Sequence, residues 1–266
     1  MEPVRKPLLL LVLLLAVFGS TSAYAITYGQ PDGNGHPNAG AMVYFSPSRQ
    51  AYRIVCSGSL VSPTVFLTAS HCTSFLEQNG ITNVWVTFDS QFSQKSKLYH
   101  GTMHTNPLYN QSTSDPEDIA VITLDKAVNG ITPVDLPAAG LLDQMKKAGT
   151  LNGTYFTSVG YGDREPTNEP GGKVYPFTGQ RRVASGEFNS LTDVWLKISQ
   201  NPSTGDGGTC YGDSGGPQFL GAGATETNTQ VSITISGDAV CRATNVDYRL
   251  DTPQARAFLG DYVTLP

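Results

Sequence analysis

The chain has 266 residues, of which 15% are charged, and its formal net charge is −5. Because an acidic surface repels phosphate groups, neither nucleic acid nor an anionic membrane is expected as a partner. Four cysteines lie at positions 56, 72, 210 and 241, and none is part of a C-x-x-C pair, which disfavours a zinc site.

Residues 1–25 are predicted to be a secretory signal peptide. Arg5 and Lys6 supply the positive start, residues 8–18 form an uncharged apolar run, and Ala23-Tyr24-Ala25 matches a signal peptidase site. A helix of eleven residues is about 16 Å long and cannot span a hydrocarbon core of roughly 30 Å. We therefore expect a secreted protein with no membrane span after signal removal. In an oxidising compartment the cysteines should form two disulfides, and the sequence leaves three pairings open.

The remaining residues, 26–266, are predicted to be all-β. Short alternating apolar runs are separated by clusters of glycine, proline and asparagine. Strands are predicted at residues 41–45, 57–61, 65–69, 83–88, 119–124, 155–160, 193–198 and 231–235. Helices are predicted only at residues 141–147 and 253–259, the second with Thr252 as N-cap. This pattern indicates a sandwich or a barrel.

His71 is the candidate general base. It follows an apolar run at residues 65–67 and several small residues, and it abuts Cys72. The other histidines, His36, His100 and His104, lie in polar sequence that looks like turns. The alternative for His71 is a partly buried structural histidine, but its surroundings favour catalysis.

Asp118 is the candidate carboxylate partner of that base. It is clustered with Asp115 and Glu117, so charge alone does not choose among the three. Only Asp118 leads directly into the apolar run at residues 119–122, which places it at the mouth of a strand and next to a core. A triad needs its carboxylate buried in this way, although a capping aspartate is the alternative for Asp118 alone.

Residues 212–217, Gly-Asp-Ser-Gly-Gly-Pro, present Ser214 as a candidate nucleophile. The glycines allow a sharp turn, and the N–H groups of Gly212 and Ser214 can then point into one space as an oxyanion hole. Asp213 is unexpected there, because a carboxylate beside a nucleophile must be neutralised or turned away.

Three segments, residues 68–72, 118–121 and 212–217, resemble in this order the trypsin/chymotrypsin family of serine endopeptidases. The Val-Gly-Tyr-Gly run at residues 159–162 also resembles a strand of that family. The resemblance implies two antiparallel six-stranded β-barrels, at about residues 26–140 and 141–266, with the active site in the cleft between them. It implies a triad of His71, Asp118 and Ser214, and an acyl-enzyme mechanism that needs no cofactor and no metal.

The resemblance also implies disulfides Cys56–Cys72 and Cys210–Cys241. It implies that Asp213 pairs with a new α-ammonium group at Ile26, and here signal peptidase would create that terminus directly. The alternative is cleavage after Ala23, which leaves a short propeptide.

The family's specificity pocket maps to Gly208, Thr209, Ser236 and Gly237. Gly208 stands where trypsin-like members carry an aspartate, so selectivity for Arg or Lys is not expected; Asp238 leaves a bias towards basic residues open. The partners implied are a protein or peptide substrate and a proteinaceous inhibitor, with the enzyme as a monomer. The alternative function is a catalytically silent secreted binding protein on the same fold. An esterase is disfavoured, because α/β-hydrolases order their triad differently.

Overall fold

The computed structural model describes residues 26–266, so the predicted signal peptide lies outside the described residues. The strands are β1 (Gln30–Pro31), β2 (Ala39–Ser46), β3 (Ala51–Ser62), β4 (Val65–Thr68), β5 (Val84–Thr87), β6 (Tyr99–Thr105), β7 (Ala120–Leu124), β8 (Tyr155–Gly160), β9 (Thr167–Glu169), β10 (Gly172–Val174), β11 (Arg182–Leu191), β12 (Trp195–Ser199), β13 (Pro217–Leu220), β14 (Gln230–Gly237) and β15 (Thr244–Arg249). The helices are α1 (Ser70–Gln78), α2 (Leu141–Ala148) and α3 (Pro253–Leu259), with single 3-10 turns at Pro202–Thr204 and Gly223–Thr225.

The strands form two closed antiparallel barrels of six strands each, which confirms the expected fold. The first has the order β2-β3-β4-β7-β6-β5 and closes through β2 and β5. The second has the order β11-β12-β15-β14-β13-β8 and closes through β8 and β11, while β1 adds to its edge. Phe66, Leu60 and Val121 fill the first barrel, and Phe156, Leu196 and Val231 lie in a separate buried cluster of the second.

Each of the eight predicted strands overlaps an observed one, and the two predicted helices are present as α2 and α3. Helix α1 was not predicted; Ala69 stands at its N-cap position, so no capping side chain marks its start. The turn-like reading of His100 and His104 was wrong, because both lie on β6. Thr252 caps α3, its side chain accepting a hydrogen bond from the N–H of Ala255.

Strand β15 was not predicted from the sequence, because several of its residues inside the second barrel are polar. Asn245, Asp247 and Arg249 are all at most 1% exposed, although their side chains are polar. The Arg249 guanidinium is neutralised by Asp251 and Asp143, at 2.9 and 2.7 Å. A buried ion pair of this kind satisfies its own hydrogen bonds, so the strand needs no apolar alternation.

Arg181 ties the first barrel to the second. It is fully buried and immediately precedes β11. Its Nε donates to Asp32 at 2.7 Å, and its Nη1 donates to the carbonyl oxygens of Ala39 and Phe88 at 3.0 and 2.9 Å. The start of β2 and the end of β5 are therefore held to the second barrel through one guanidinium.

Replacing Arg181 with methionine should destabilise the protein by about 3 kcal/mol or more, because the Asp32 carboxylate loses its arginine partner and the buried carbonyl oxygens of Ala39 and Phe88 lose a donor. The exposed Arg53 is the matched control, and Arg53→Met should stay within about 0.5 kcal/mol of the parent. Urea unfolding monitored by fluorescence measures both. Equal midpoints for the two variants would contradict the role given to Arg181.

Candidate active site

His71 and Asp118 meet because the strands that lead to them are paired. His71 is the second residue of α1, just after β4, and Asp118 lies just before β7. The β4–β7 register places Thr68 opposite Ala120. Asp118, which is 2% exposed, accepts two hydrogen bonds from His71, at 2.8 Å from Nδ1 and at 2.8 Å from the backbone N–H. Because Nδ1 donates to a carboxylate, Nε2 is left with a lone pair and can accept a proton.

The other candidate acids and histidines have different partners. Glu117 accepts from the Asn106 side chain, and the Asp115 carboxylate accepts from the Glu117 backbone. The remaining histidines contact residues away from this site: His36 contacts Asp32 and Glu226, His100 contacts Asp125, and His104 contacts Thr123. The geometry therefore singles out Asp118 and His71, which sequence reasoning could choose only from context.

Ser214 lies in a tight turn that leads into β13. Gly212 and Gly215 have φ values of 92° and 78°, which side chains rarely adopt. A Cβ on Gly215 would lie 2.3 Å from Thr68 Oγ1, so the turn also packs closely against the first barrel. Among the hydrogen bonds of residues 26–266, none uses the N–H of Gly212 or of Ser214. Both donors are thus unengaged within the described residues.

His71 and Ser214 line one cavity of about 660 Å³, together with Cys56, Phe75 and Tyr109. Within the described residues no hydrogen bond joins the His71 and Ser214 side chains. Such contacts are often long in sites without substrate and tighten when substrate binds.

Two disulfides brace the site, and they have the pairing that the resemblance implies. Cys56–Cys72 fixes the residue after His71, and Cys210–Cys241 ties the nucleophile segment to the loop after β14. Potential metal-ligand atoms of Cys56, His71 and Cys72 lie within 4.8 Å of one another. Both sulfurs belong to the bridge, so they cannot act as thiolate ligands.

Ser57, on β3, is a residue of the site that sequence reasoning missed. Its backbone N–H donates to the carbonyl oxygen of Ser214 at 2.9 Å. Its Oγ donates to the carbonyl oxygen of Gly212 at 3.0 Å and accepts the N–H of Tyr161 at 2.9 Å. Nothing in the local sequence around Ser57 marks these contacts.

Asp213 is completely buried, and the N–H groups of Gly162 and Cys210 donate to its carboxyl oxygens at 2.7 and 2.9 Å. Burial nevertheless raises its pKa to about 7. Ile26 is also fully buried. No ion pair between Ile26 and Asp213 is present in the described part of the chain; the Ile26 nitrogen here is an amide, because Ala25 precedes it.

The segment after Ile26 is nevertheless docked beside the nucleophile segment. Thr27 forms a β-bridge with Gly208, whose N–H donates to the Thr27 carbonyl oxygen at 3.0 Å. A chain beginning at Ile26 would therefore start from a segment that is already seated in the second barrel.

A second cavity, of about 210 Å³, adjoins Ser214. Three of the four residues expected for the specificity pocket line it, namely Thr209, Ser236 and Gly237, whereas Gly208 is not among its lining residues. Tyr211, which sequence reasoning had not picked out, also lines it and is 54% exposed.

Comparison with known proteins decides the family. The sequence model described as trypsin matches residues 30–257, most of the chain. The chain belongs to the trypsin family. It is 28% identical to the kallikrein 1-related peptidase b27 of Mus musculus over 62% of this chain and 65% of that protein. It is 27% identical to the fibrinolytic enzyme isozyme C of Lumbricus rubellus over 77% of this chain and 86% of that protein.

A trypsin of Saccharopolyspora erythraea is 27% identical, over 78% of this chain and 84% of its own length. The match to the kallikrein-related peptidase spans less than two thirds of that protein's length. Within the described trypsin-family chain, no helix has the length and apolar character that a membrane crossing requires.

The buried Asp213 predicts how stability depends on pH before and after cleavage at Ile26. The extended form of the chain still carries residues before Ile26. Between about pH 4 and pH 7, Asp213 is protonated in the native state of this form, whereas in the unfolded state it has already lost the proton. The unfolding free energy should therefore fall as pH rises through this window, by about 4 kcal/mol at most from this group.

Asp213→Asn in the extended form should remove the contribution of Asp213 to this decrease in unfolding free energy. Cleavage before Ile26 should remove it too, because a free ammonium group then stabilises the carboxylate. Urea titrations at pH 4.5 and 7.5, with Ser214→Ala in every form, measure the effect. An identical pH dependence in the extended and the cleaved form would rule out the pairing.

Proposed function

We propose that this trypsin-family chain is a secreted serine endopeptidase, which hydrolyses peptide bonds through an acyl-enzyme intermediate on Ser214. The observation that carries the proposal is the pair of hydrogen bonds from His71 to the buried Asp118, which leaves Nε2 as the proton acceptor in the cavity shared with Ser214. Two disulfides fit an exported protein.

In the proposed reaction the Ser214 Oγ attacks the substrate carbonyl carbon while His71 Nε2 takes the hydroxyl proton. Asp118 holds Nδ1–H and stabilises the imidazolium that forms. The imidazolium then protonates the leaving amine, and a water molecule activated by His71 releases the acyl group. The unengaged N–H groups of Gly212 and Ser214 would bind the oxyanion, each contributing about 3–4 kcal/mol to transition-state stabilisation.

We also propose that activation depends on a free amine at Ile26. A buried carboxylate without a cationic partner costs several kcal/mol, and Asp213 directly precedes the nucleophile. An ammonium group at Ile26 would supply that partner. The A-x-A motif ends at Ala25, so signal peptidase would release the amine without a separate propeptide.

The competing function is a catalytically silent secreted binding protein. Such a protein has no need for a buried carboxylate on the histidine Nδ1 or for two unengaged N–H groups beside the serine. The chain retains both. The substrate of the active enzyme would be a protein or peptide, the enzyme would act as a monomer, and a proteinaceous inhibitor could occupy the same cleft.

A fluorophosphonate probe separates the two functions. The form beginning at Ile26 should be labelled at Ser214, and the Ser214→Ala variant should not be labelled. Turnover of a peptide amide substrate should fall by about 10⁶-fold in His71→Ala and by about 10⁴-fold in Asp118→Asn. A correctly folded wild-type protein that remains unlabelled would establish the silent function instead.

N-terminal sequencing of the secreted protein tests the activation route. Direct cleavage predicts Ile-Thr-Tyr-Gly as the first four residues. A secreted, active protein that begins at Tyr24 would refute direct activation by signal peptidase and would require a different partner for Asp213.

A further inference from the structure

Gln200 lies between Gly208 and Gly237, two of the residues expected to form the specificity pocket. It follows β12 and is fully buried. A Cβ placed on Gly208 would lie 2.3 Å from Gln200 Oε1 and 2.6 Å from Gln200 Cβ. On the other side, a Cβ on Gly237 would lie 3.6 Å from Gln200 Nε2. The side chain thus spans from one glycine to the other.

The Gln200 amide is held in one orientation. Its Nε2 donates to Asp238 Oδ1 at 3.1 Å and to the Thr244 carbonyl oxygen at 3.5 Å, and both of these atoms can only accept hydrogen bonds. Its backbone N–H donates to the Ala243 carbonyl oxygen at 3.1 Å. Oε1 must therefore face Gly208, where it is buried and lacks a hydrogen-bond partner among the described residues.

Gln200 itself is not among the residues that line the cavity beside Ser214. Thr209, Gly237 and Asp238 line the cavity, but Gly208, which lies against Gln200, does not. Gln200 therefore fills the space that a side chain at position 208 would occupy, and this space is closed to a substrate.

The Asp238 carboxylate, which lines the cavity, accepts most of its hydrogen bonds from within the protein. Its Oδ1 accepts hydrogen bonds from Gln200 Nε2 and from the N–H groups of Arg242, Ala243 and Thr244, and its Oδ2 shares the N–H of Arg242. Burial alone would raise the pKa of Asp238, but these donors outweigh it and lower the pKa. Asp238 therefore stays ionised, and its carboxylate is held in place by the protein's own N–H groups.

Asp247 is the other acid near this wall. It is completely buried on β15 and accepts from the Asn245 side chain at 2.9 Å. Burial raises its pKa well above the ordinary value, which favours the neutral acid, and it is not among the residues that line the cavity. A long side chain would consequently find no space at the Gly208 end of this pocket.

We infer that Gln200 is a specificity-determining residue, because it closes the Gly208 end of the pocket, and that the enzyme cleaves after short side chains. This inference rests on the proposed endopeptidase function. It differs from that function in making Gln200, a residue outside the catalytic machinery, responsible for the choice of substrate.

The test compares kcat/KM on peptide substrates that differ only in the residue before the scissile bond: Ala, Val, Phe or Lys. The wild-type protein should favour Ala and Val over Phe and Lys by about tenfold or more, a ratio that pocket shape alone can supply. Gln200→Ala should raise the Phe/Ala ratio by about tenfold. Gln200→Met, which keeps the bulk and loses only the polar contacts, should retain the wild-type ranking.

A wild-type preference for Phe or Lys, or a Gln200→Ala ranking that equals the wild-type one, would overturn the inference. Fluorophosphonate labelling of Ser214 in the same preparations distinguishes the failures. Labelled protein with the wrong ranking refutes only the role of Gln200, whereas unlabelled wild-type protein refutes the endopeptidase function and the inference with it.

A stability measurement tests the contact without relying on activity. Gly208→Ala should lower the melting temperature, because the new methyl group collides with Gln200. Adding Gln200→Gly to Gly208→Ala removes both Gln200 atoms that the methyl group would meet, Oε1 and Cβ, so the double variant should lose less than the sum of the two single variants. Additive losses in the double variant would show that Gln200 does not fill the space beside Gly208.

Discussion

The geometry of the site depends on one hydrogen-bonded contact between the barrels, made by Ser57. Its N–H and Oγ donate to the carbonyl oxygens of Ser214 and Gly212, at 2.9 and 3.0 Å. The preceding residue, Cys56, is bonded to Cys72, which follows His71. One short stretch of the first barrel therefore positions the proposed nucleophile through hydrogen bonds and the proposed base through a disulfide. Neither barrel alone contains both halves of the chemistry.

The glycines after Ser214 make this contact sterically feasible. A Cβ on Gly215 would lie 2.6 Å from the Ser57 carbonyl oxygen, and one on Gly216 would lie 3.2 Å from Ser57 Cβ. The same carbonyl oxygen accepts the Thr68 hydroxyl at 2.9 Å. Each polar group of Ser57 thus has a partner, as a buried polar network requires if it is to hold a single geometry. Gly215 and Gly216 therefore contribute to the packing between the barrels as well as to the turn that presents Ser214.

The sequence alone was sufficient to predict the features that have a local sequence pattern. Each of the eight predicted strands overlaps an observed one, and His71 and Asp118 each border a strand, although the choice of Asp118 over its neighbours needed context. Ser57 and Gln200 carry no such signature. Ser57 acts on Gly212, which is 155 residues away along the chain, and Gln200 fills a space that exists only because Gly208 and Gly237 face each other in the fold. Strand β15 was missed for a related reason, since its buried polar residues find their partners only in the folded barrel.

The most direct test of this account is the rate at which a fluorophosphonate labels Ser214 when the Ser57 hydroxyl is removed. Ser59→Ala is the matched control, because Ser59 is equally buried on β3 but donates to Gln230 instead. In Ser57→Ala the Gly212 carbonyl and the Tyr161 N–H lose their partner, so the segment 212–214, which carries the proposed oxyanion donors, should shift. Labelling should slow by about tenfold or more, comparable to weakening one oxyanion donor, while Ser59→Ala should label at close to the wild-type rate. Equal labelling rates in Ser57→Ala and in the wild type would contradict the claim that this contact between the barrels holds the nucleophile in its reactive position.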